Sequence, residues 1–151
     1  MRRGASHFVT WLIFLSYTSV LLYLMFFGFH RTALSTDHMR YNLVPFKTIA
    51  NYIFHYEAFG FKTWVINLFG NVVVFTPFGF LVPSLFIRAR KGLLFYSSFV
   101  FVLILAEILQ SVLRLGSFDV DDLILNTLGA AIGFRIYNKK KQAYASGIDL
   151  P

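Results

Sequence analysis

Four stretches of the chain are apolar for long enough to cross a hydrocarbon core, which takes about 20 helical residues. They run Phe8–Phe29, Trp64–Ile87, Gly92–Leu113 and Val120–Tyr137. A segment of another kind separates the first two. Asn42-Leu43-Val44-Pro45-Phe46 reads as a turn leading into a helix, with Pro45 in an early helical position. Phe46, Ile49, Tyr52, Ile53 and Tyr56 then recur at helical spacing on one side, while Asn51, His55 and Glu57 fall toward the other. A short amphipathic helix lying in a membrane interface has this pattern; a connecting loop with apolar contacts is the plainer alternative. The predicted fold class is an all-α integral membrane protein of four transmembrane helices, with a short amphipathic interfacial helix in the first outer loop. Residues 1–141 form one membrane domain without internal repeats, and 142–151 form a short disordered tail.

Composition agrees: 57% of residues are hydrophobic and 14% charged, with a mean hydropathy of +0.63, where a soluble domain carries about 25% charged residues. Arg2 and Arg3 before the first run imitate a signal peptide. The run outlasts the roughly 7–15 apolar residues of a signal core, and no small-x-small site closes it, so a retained helix is expected. With no cysteine, disulfides and thiolate chemistry are excluded.

Lys and Arg set the orientation, because they gather on the cytoplasmic side. Nine of the 14 (Arg2, Arg3, Arg88, Arg90, Lys91, Arg135, Lys139, Lys140, Lys141) fall on one side and five (Arg31, Arg40, Lys47, Lys62, Arg114) on the other. Both termini are therefore expected in the cytoplasm. The net charge of +7 is mostly this signal; it suits anionic lipid headgroups and argues against nucleic acid.

Polar residues inside the apolar runs come next, since intramembrane ionisable groups are costly and usually functional. Counted from the outer helix ends at 1.5 Å per residue, Asn67, Gln110 and Asp122 lie roughly 5–7 Å deep, and Asn71, Glu107 and Asn126 roughly 10–12 Å. Arg114 and Asp119 rim the opening. Asn67 and Asn71 share a helix face, as do Glu107, Gln110 and Arg114. Asp119, Asp122, Asn126, Gly129 and Gly133 form a seam, whereas Asp121 falls off it toward the turn or water. Gly129 and Gly133 make a small-xxx-small motif for close helix approach, within the chain or in a homodimer. Packing the last three helices together gives an outward-opening polar pocket.

Duller roles compete. Asp119 and Asp122 can cap the fourth helix, the Asn residues can be interhelical glue, and Pro77, Gly79 and Pro83 can make a static kink. His30, His38 and His55 lack paired ligand spacing and read as interfacial polar residues. Glu107, Asp119 and Asp122 are a weak alternative set of oxygen ligands for a divalent cation. No nucleophile elbow, phosphate loop or metalloprotease helix is present, and no cofactor is implied.

At these residues the chain resembles the VanZ-like family of small bacterial membrane proteins. The resemblance covers about 41–137. It is carried by Asn42-Leu43-x-Pro45-Phe46, Asn67-x-x-Gly70-Asn71, Phe75-x-Pro77-x-Gly79 with Pro83, Glu107-x-x-Gln110, and Asp119-x-Asp121-Asp122-x-x-x-Asn126-Thr127-x-Gly129-x-x-x-Gly133. It implies a multi-pass protein of the bacterial cytoplasmic membrane. The founding member's association with low-level teicoplanin resistance implies an extracytoplasmic role. Two mechanisms remain open. In one, the pocket binds a membrane lipid, a lipid-linked cell-wall precursor or a lipoglycopeptide, through Asn67, Asn71, Glu107, Gln110, Arg114, Asp119, Asp122 and Asn126. In the other, an intramembrane enzyme acts on a lipid-linked substrate with Glu107 as general acid or base. A permease ranks last, because the polar residues stop halfway across.

Overall fold

A computed structural model describes residues 2–27 and 41–146. The expectations for His30, His38 and the last residues of the tail lie outside them. Among the described residues, five helices and a two-residue parallel bridge make up the fold. They are α1 (Arg2–Phe26), β1 (Tyr41–Asn42), α2 (Lys47–Phe54), α3 (Phe61–Leu85), α4 (Gly92–Val112), β2 (Phe118–Asp119) and α5 (Val120–Ala145).

Three of the helices, α1, α3 and α4, are long and apolar enough to cross a membrane. Where the fourth span was expected there is a helix, α5, but it does not reach that apolarity: Asp121, Asp122, Arg135 and Lys139 to Lys141 all lie within its 26 residues. It also runs on to Ala145, past the point at which the tail was expected to begin.

The second apolar run continues through Pro77 as helix, with both Pro77 and Pro83 inside α3. Its irregularity lies earlier, in a π-helical turn at Ile66–Gly70 that contains Asn67. Tyr17 of α1 donates its hydroxyl to the Val74 carbonyl at 2.7 Å, tying α1 to α3 beside Pro77.

The centre of the molecule is the close approach of α3 and α5. A methyl group built on Gly133 would sit 1.9 Å from the Thr76 carbonyl oxygen, and one on Gly129 would sit 2.1 Å from that of Val72. From the other side, a methyl on Gly79 would meet the Ala130 oxygen at 1.9 Å. Backbone touches backbone along this seam, as small-xxx-small pairs allow. The Gly129–Gly133 surface is thus taken up against α3 of the same chain.

Two apolar clusters flank the seam. Leu21, Phe75 and Leu103 join α1, α3 and α4. Phe95, Ala130 and Phe134 join α4 to α5, with the rings of Phe95 and Phe134 stacked 4.8 Å apart. Elsewhere α1 and α4 turn large apolar side chains outward, among them Phe8, Leu12, Leu15, Phe101, Val102 and Leu105. An exposed apolar belt of this extent needs an apolar surrounding.

Candidate functional site

The polar residues gather where α5 begins, and the first question is how each one is held. Asp119 is the N-cap of α5, accepting from the Asp121 backbone N–H at 2.9 Å. The same carboxylate accepts from the Thr48 hydroxyl at 2.6 Å and from the Asn42 amide at 3.2 Å. Beside these contacts runs the parallel bridge, with Asn42 opposite Asp119 and Tyr41 opposite Phe118. The segment entering α2 is therefore stitched to the start of α5.

Asp121 overturns the expectation that it faces the turn or water, for it is 0% exposed. Its carboxylate accepts three backbone N–H bonds, from Phe46 at 2.5 Å, Thr48 at 2.7 Å and Ile49 at 3.0 Å. The cause lies in α2. A helix start leaves orphan N–H groups, and the residue at the N-cap position is Phe46, which supplies no side-chain cap. Asp121 caps α2 from another helix, 72 to 75 residues along the chain, and its charge also complements the positive helix end.

Phe46 itself is left-handed, with φ 64°, an uncommon conformation for a bulky residue. Pro45 lies just ahead of it, outside the helix, where an early helical position was expected.

Asp122 faces elsewhere. It accepts from the Asn71 amide of α3 at 2.8 Å, which links two residues expected at different depths. Asn71 also donates to the Asn67 carbonyl at 3.2 Å, and the Asn67 amide donates to Thr63 within its own helix at 2.8 Å. One helical turn past Asp122, Asn126 is 3% exposed and its Oδ1 has no hydrogen-bond partner among the described residues.

On α4, Glu107 is 6% exposed, and Gln110 and Ser111 are buried on the same side. Gln110 donates to the Met25 carbonyl in the last turn of α1 at 2.8 Å. It therefore binds the first helix instead of joining Asn67 and Asp122. Arg114 is exposed and left-handed, with φ 58°. Its N–H bonds Ser111 and that of Leu115 bonds Gln110, closing α4 in the Schellman arrangement that usually employs glycine.

Thr48 and Tyr52 belong to this site and carry no intramembrane signal in the sequence, since both lie in the loop region. Tyr52 stands near the carboxylates. Burial raises its phenol above the ordinary value, and Asp122 and Asp119 push it the same way. It stays protonated and keeps a donor beside the acidic cluster. The indole of Trp64 donates to the Tyr52 carbonyl at 2.8 Å, fastening α2 to the start of α3.

Among the described residues no group of three His, Cys, Asp or Glu is placed to hold a metal ion. Glu107, Asp119 and Asp122 thus do not converge on one cation.

A family model described as VanZ/LLP1 matches residues 14–141. Among curated proteins, Protein VanZ of Enterococcus faecium is 32% identical over 127 residues, covering 80% of this chain and 68% of that protein. No solved structure matches the chain.

Proposed function

The chain belongs to the VanZ/LLP1 family, and from that premise we propose that it binds a lipid-linked envelope component or a lipoglycopeptide at an outward-facing polar site and gives low-level teicoplanin resistance. Asp122 and Asn126, one turn apart on α5, carry this reading. Asp122 is bonded to Asn71, and Asn126 holds a buried oxygen in want of a donor. A ligand hydroxyl or amide proton supplies that donor, because a buried acceptor left unmade costs about 1–3 kcal/mol. Asp119 and Asp121 serve as anchors, holding α2 over the site through Thr48 and the backbone. Arg114 remains at the surface as the cation for an anionic group.

In this reading the protein is a multi-pass protein of the bacterial cytoplasmic membrane, with both termini in the cytoplasm. The helix α5 is the fourth span: its 26 residues reach about 39 Å at 1.5 Å each. α2 lies in the outer interface, as none of its residues is buried and Ile53 and Phe54 point outward. Orientation has a direct check, because the chain has no cysteine of its own. Ser117→Cys, beside β2, is expected to react with an impermeant thiol reagent on intact cells, and Ser146→Cys only after lysis. The reverse pattern would place the polar site in the cytoplasm and remove this function.

The resistance itself is tested in a Gram-positive host expressing wild type, Asp122→Asn or Glu107→Gln at matched membrane levels, with vancomycin as the non-lipidated control. Wild type is expected to protect against teicoplanin selectively, and each variant to weaken that protection by degrees. No protection at equal expression overturns the resistance. One observation favours an enzyme instead, the burial of Glu107 in an apolar helix, where ionisable groups are usually kept for function. Complete loss with Glu107→Gln alone, in folded protein, would replace the binding reading with that one.

A further inference from the structure

At the opposite end from the carboxylates, α1, α3, α5 and Arg90 line an open cavity of about 700 Å³. Its cationic wall is Arg90, Lys140 and Lys141, and no Asp or Glu lines it. Asp122 lies 18 residues before Lys140 on α5, about 27 Å away along the helix. Among the described residues lining the cavity, no carboxylate faces these three cations.

Donors outnumber acceptors in this cavity. The Arg90 Nε is spent on the Pro83 carbonyl at 3.2 Å, which fixes the guanidinium and leaves its two terminal nitrogens. Lys140 Nζ stands 5.5 Å from the Phe80 ring centre and 5.9 Å from that of Tyr144. These contacts position the ammonium without neutralising it. The Thr10 and Ser84 hydroxyls donate their protons to carbonyls of their own helices, which leaves the cations as the donors for a ligand. Below this rim the wall turns apolar, with Ile13, Phe80 and Leu81.

Several cationic donors over an apolar floor match one chemistry: an oxyanion carrying a hydrocarbon tail. We infer that this cavity is a binding site for the phosphodiester of an anionic glycerophospholipid, held by Arg90, Lys140 and Lys141 with its first acyl carbons against Ile13 and Leu81. The inference rests on the membrane placement above but not on the resistance, and it stands whether or not teicoplanin is the target.

Purified protein in a neutral detergent is titrated with phosphatidylglycerol, phosphatidylcholine or inorganic phosphate, and bound lipid is counted by native mass spectrometry. Phosphatidylglycerol is expected to bind in preference to phosphatidylcholine. Lys140→Gln with Lys141→Gln is expected to weaken it roughly tenfold or more, the scale of losing direct charge-assisted bonds to the headgroup. Lys91→Gln with Lys139→Gln removes the same charge at the same end without touching the cavity, and is expected to leave affinity within about twofold. Arg90→Gln supplies an independent variant should the lysine pair fail to fold. Equal losses from the two lysine pairs would reduce the effect to diffuse attraction and overturn the site. So would equal binding of phosphatidylcholine. Displacement of the lipid by millimolar inorganic phosphate would reassign the cavity to free phosphate.

Discussion

Asp121→Ala is expected to free the start of α2 from α5, at a cost of about 3–5 kcal/mol. Three backbone N–H groups lose their acceptor at once. Bonds to a charged acceptor are worth about 1.5–3 kcal/mol each, but they do not simply add. The exposed turn regains some water, and alanine removes the desolvation cost of a buried carboxylate. The loss is local before it is global, so hydrogen exchange across α2 should rise sharply while α3 and α4 stay protected. Asp121→Asn separates charge from shape. Its single carbonyl can keep Thr48 and Ile49, yet it sets an amide donor against the Phe46 N–H, for an expected cost of about 1–3 kcal/mol. Unchanged exchange across α2 in both variants would show that the cap does not hold this segment.

Gly133→Ala is expected to be as damaging by an opposite mechanism, too much matter in place of a missing acceptor. The new methyl would lie 1.9 Å from the Thr76 oxygen and 3.0 Å from the Gly79 Cα. Both neighbours are backbone, which has no rotamer to yield, so α3 and α5 must part along the seam. Overpacking usually costs about 1–3 kcal/mol, and separating the two helices belongs at or above the top of that range. Thermal unfolding in detergent, followed through Trp11 and Trp64, reads it. Gly60→Ala is the matched control, since a methyl there meets nothing within 4 Å; its melting is expected to stay near wild type. Equal melting of Gly133→Ala and wild type would mean that the two helices do not approach so closely.

Several features of this protein were legible residue by residue. The apolar runs marked all the long helices, and Glu107 was recognisable as a carboxylate kept in an apolar helix. The spacing of Gly129 and Gly133 announced a close helix contact, and Asp119 before Val120 announced a cap. Each depends on side chains within a few turns of one another. Asp121 shows where such reading stops. Its wheel position on α5 argued for water, because a helical wheel takes account only of helix against helix. The loop that folds back over it comes from another part of the chain. One signal was available: α2 begins at Phe46 and Lys47 with no Ser, Thr, Asp or Asn to cap it, so the orphan N–H groups required a partner from elsewhere. Gln110 was misplaced for a similar reason, its depth on α4 being readable but not the helix it faces.

The sequence by itself determined that the chain is helical, which stretches are apolar and where the charges divide. Hydropathy, periodicity and capping are properties of neighbouring residues, so folding does not change them. Only the tertiary structure decided how the three acidic residues at the start of α5 are employed. Asp119 and Asp121 hold the segment entering α2, while Asp122 turns to Asn71. The three lie within four positions of one another, and local chemistry scarcely distinguishes them. What separates them is the direction each carboxylate takes once α3 and α5 have closed on their glycines and the loop has come down on top.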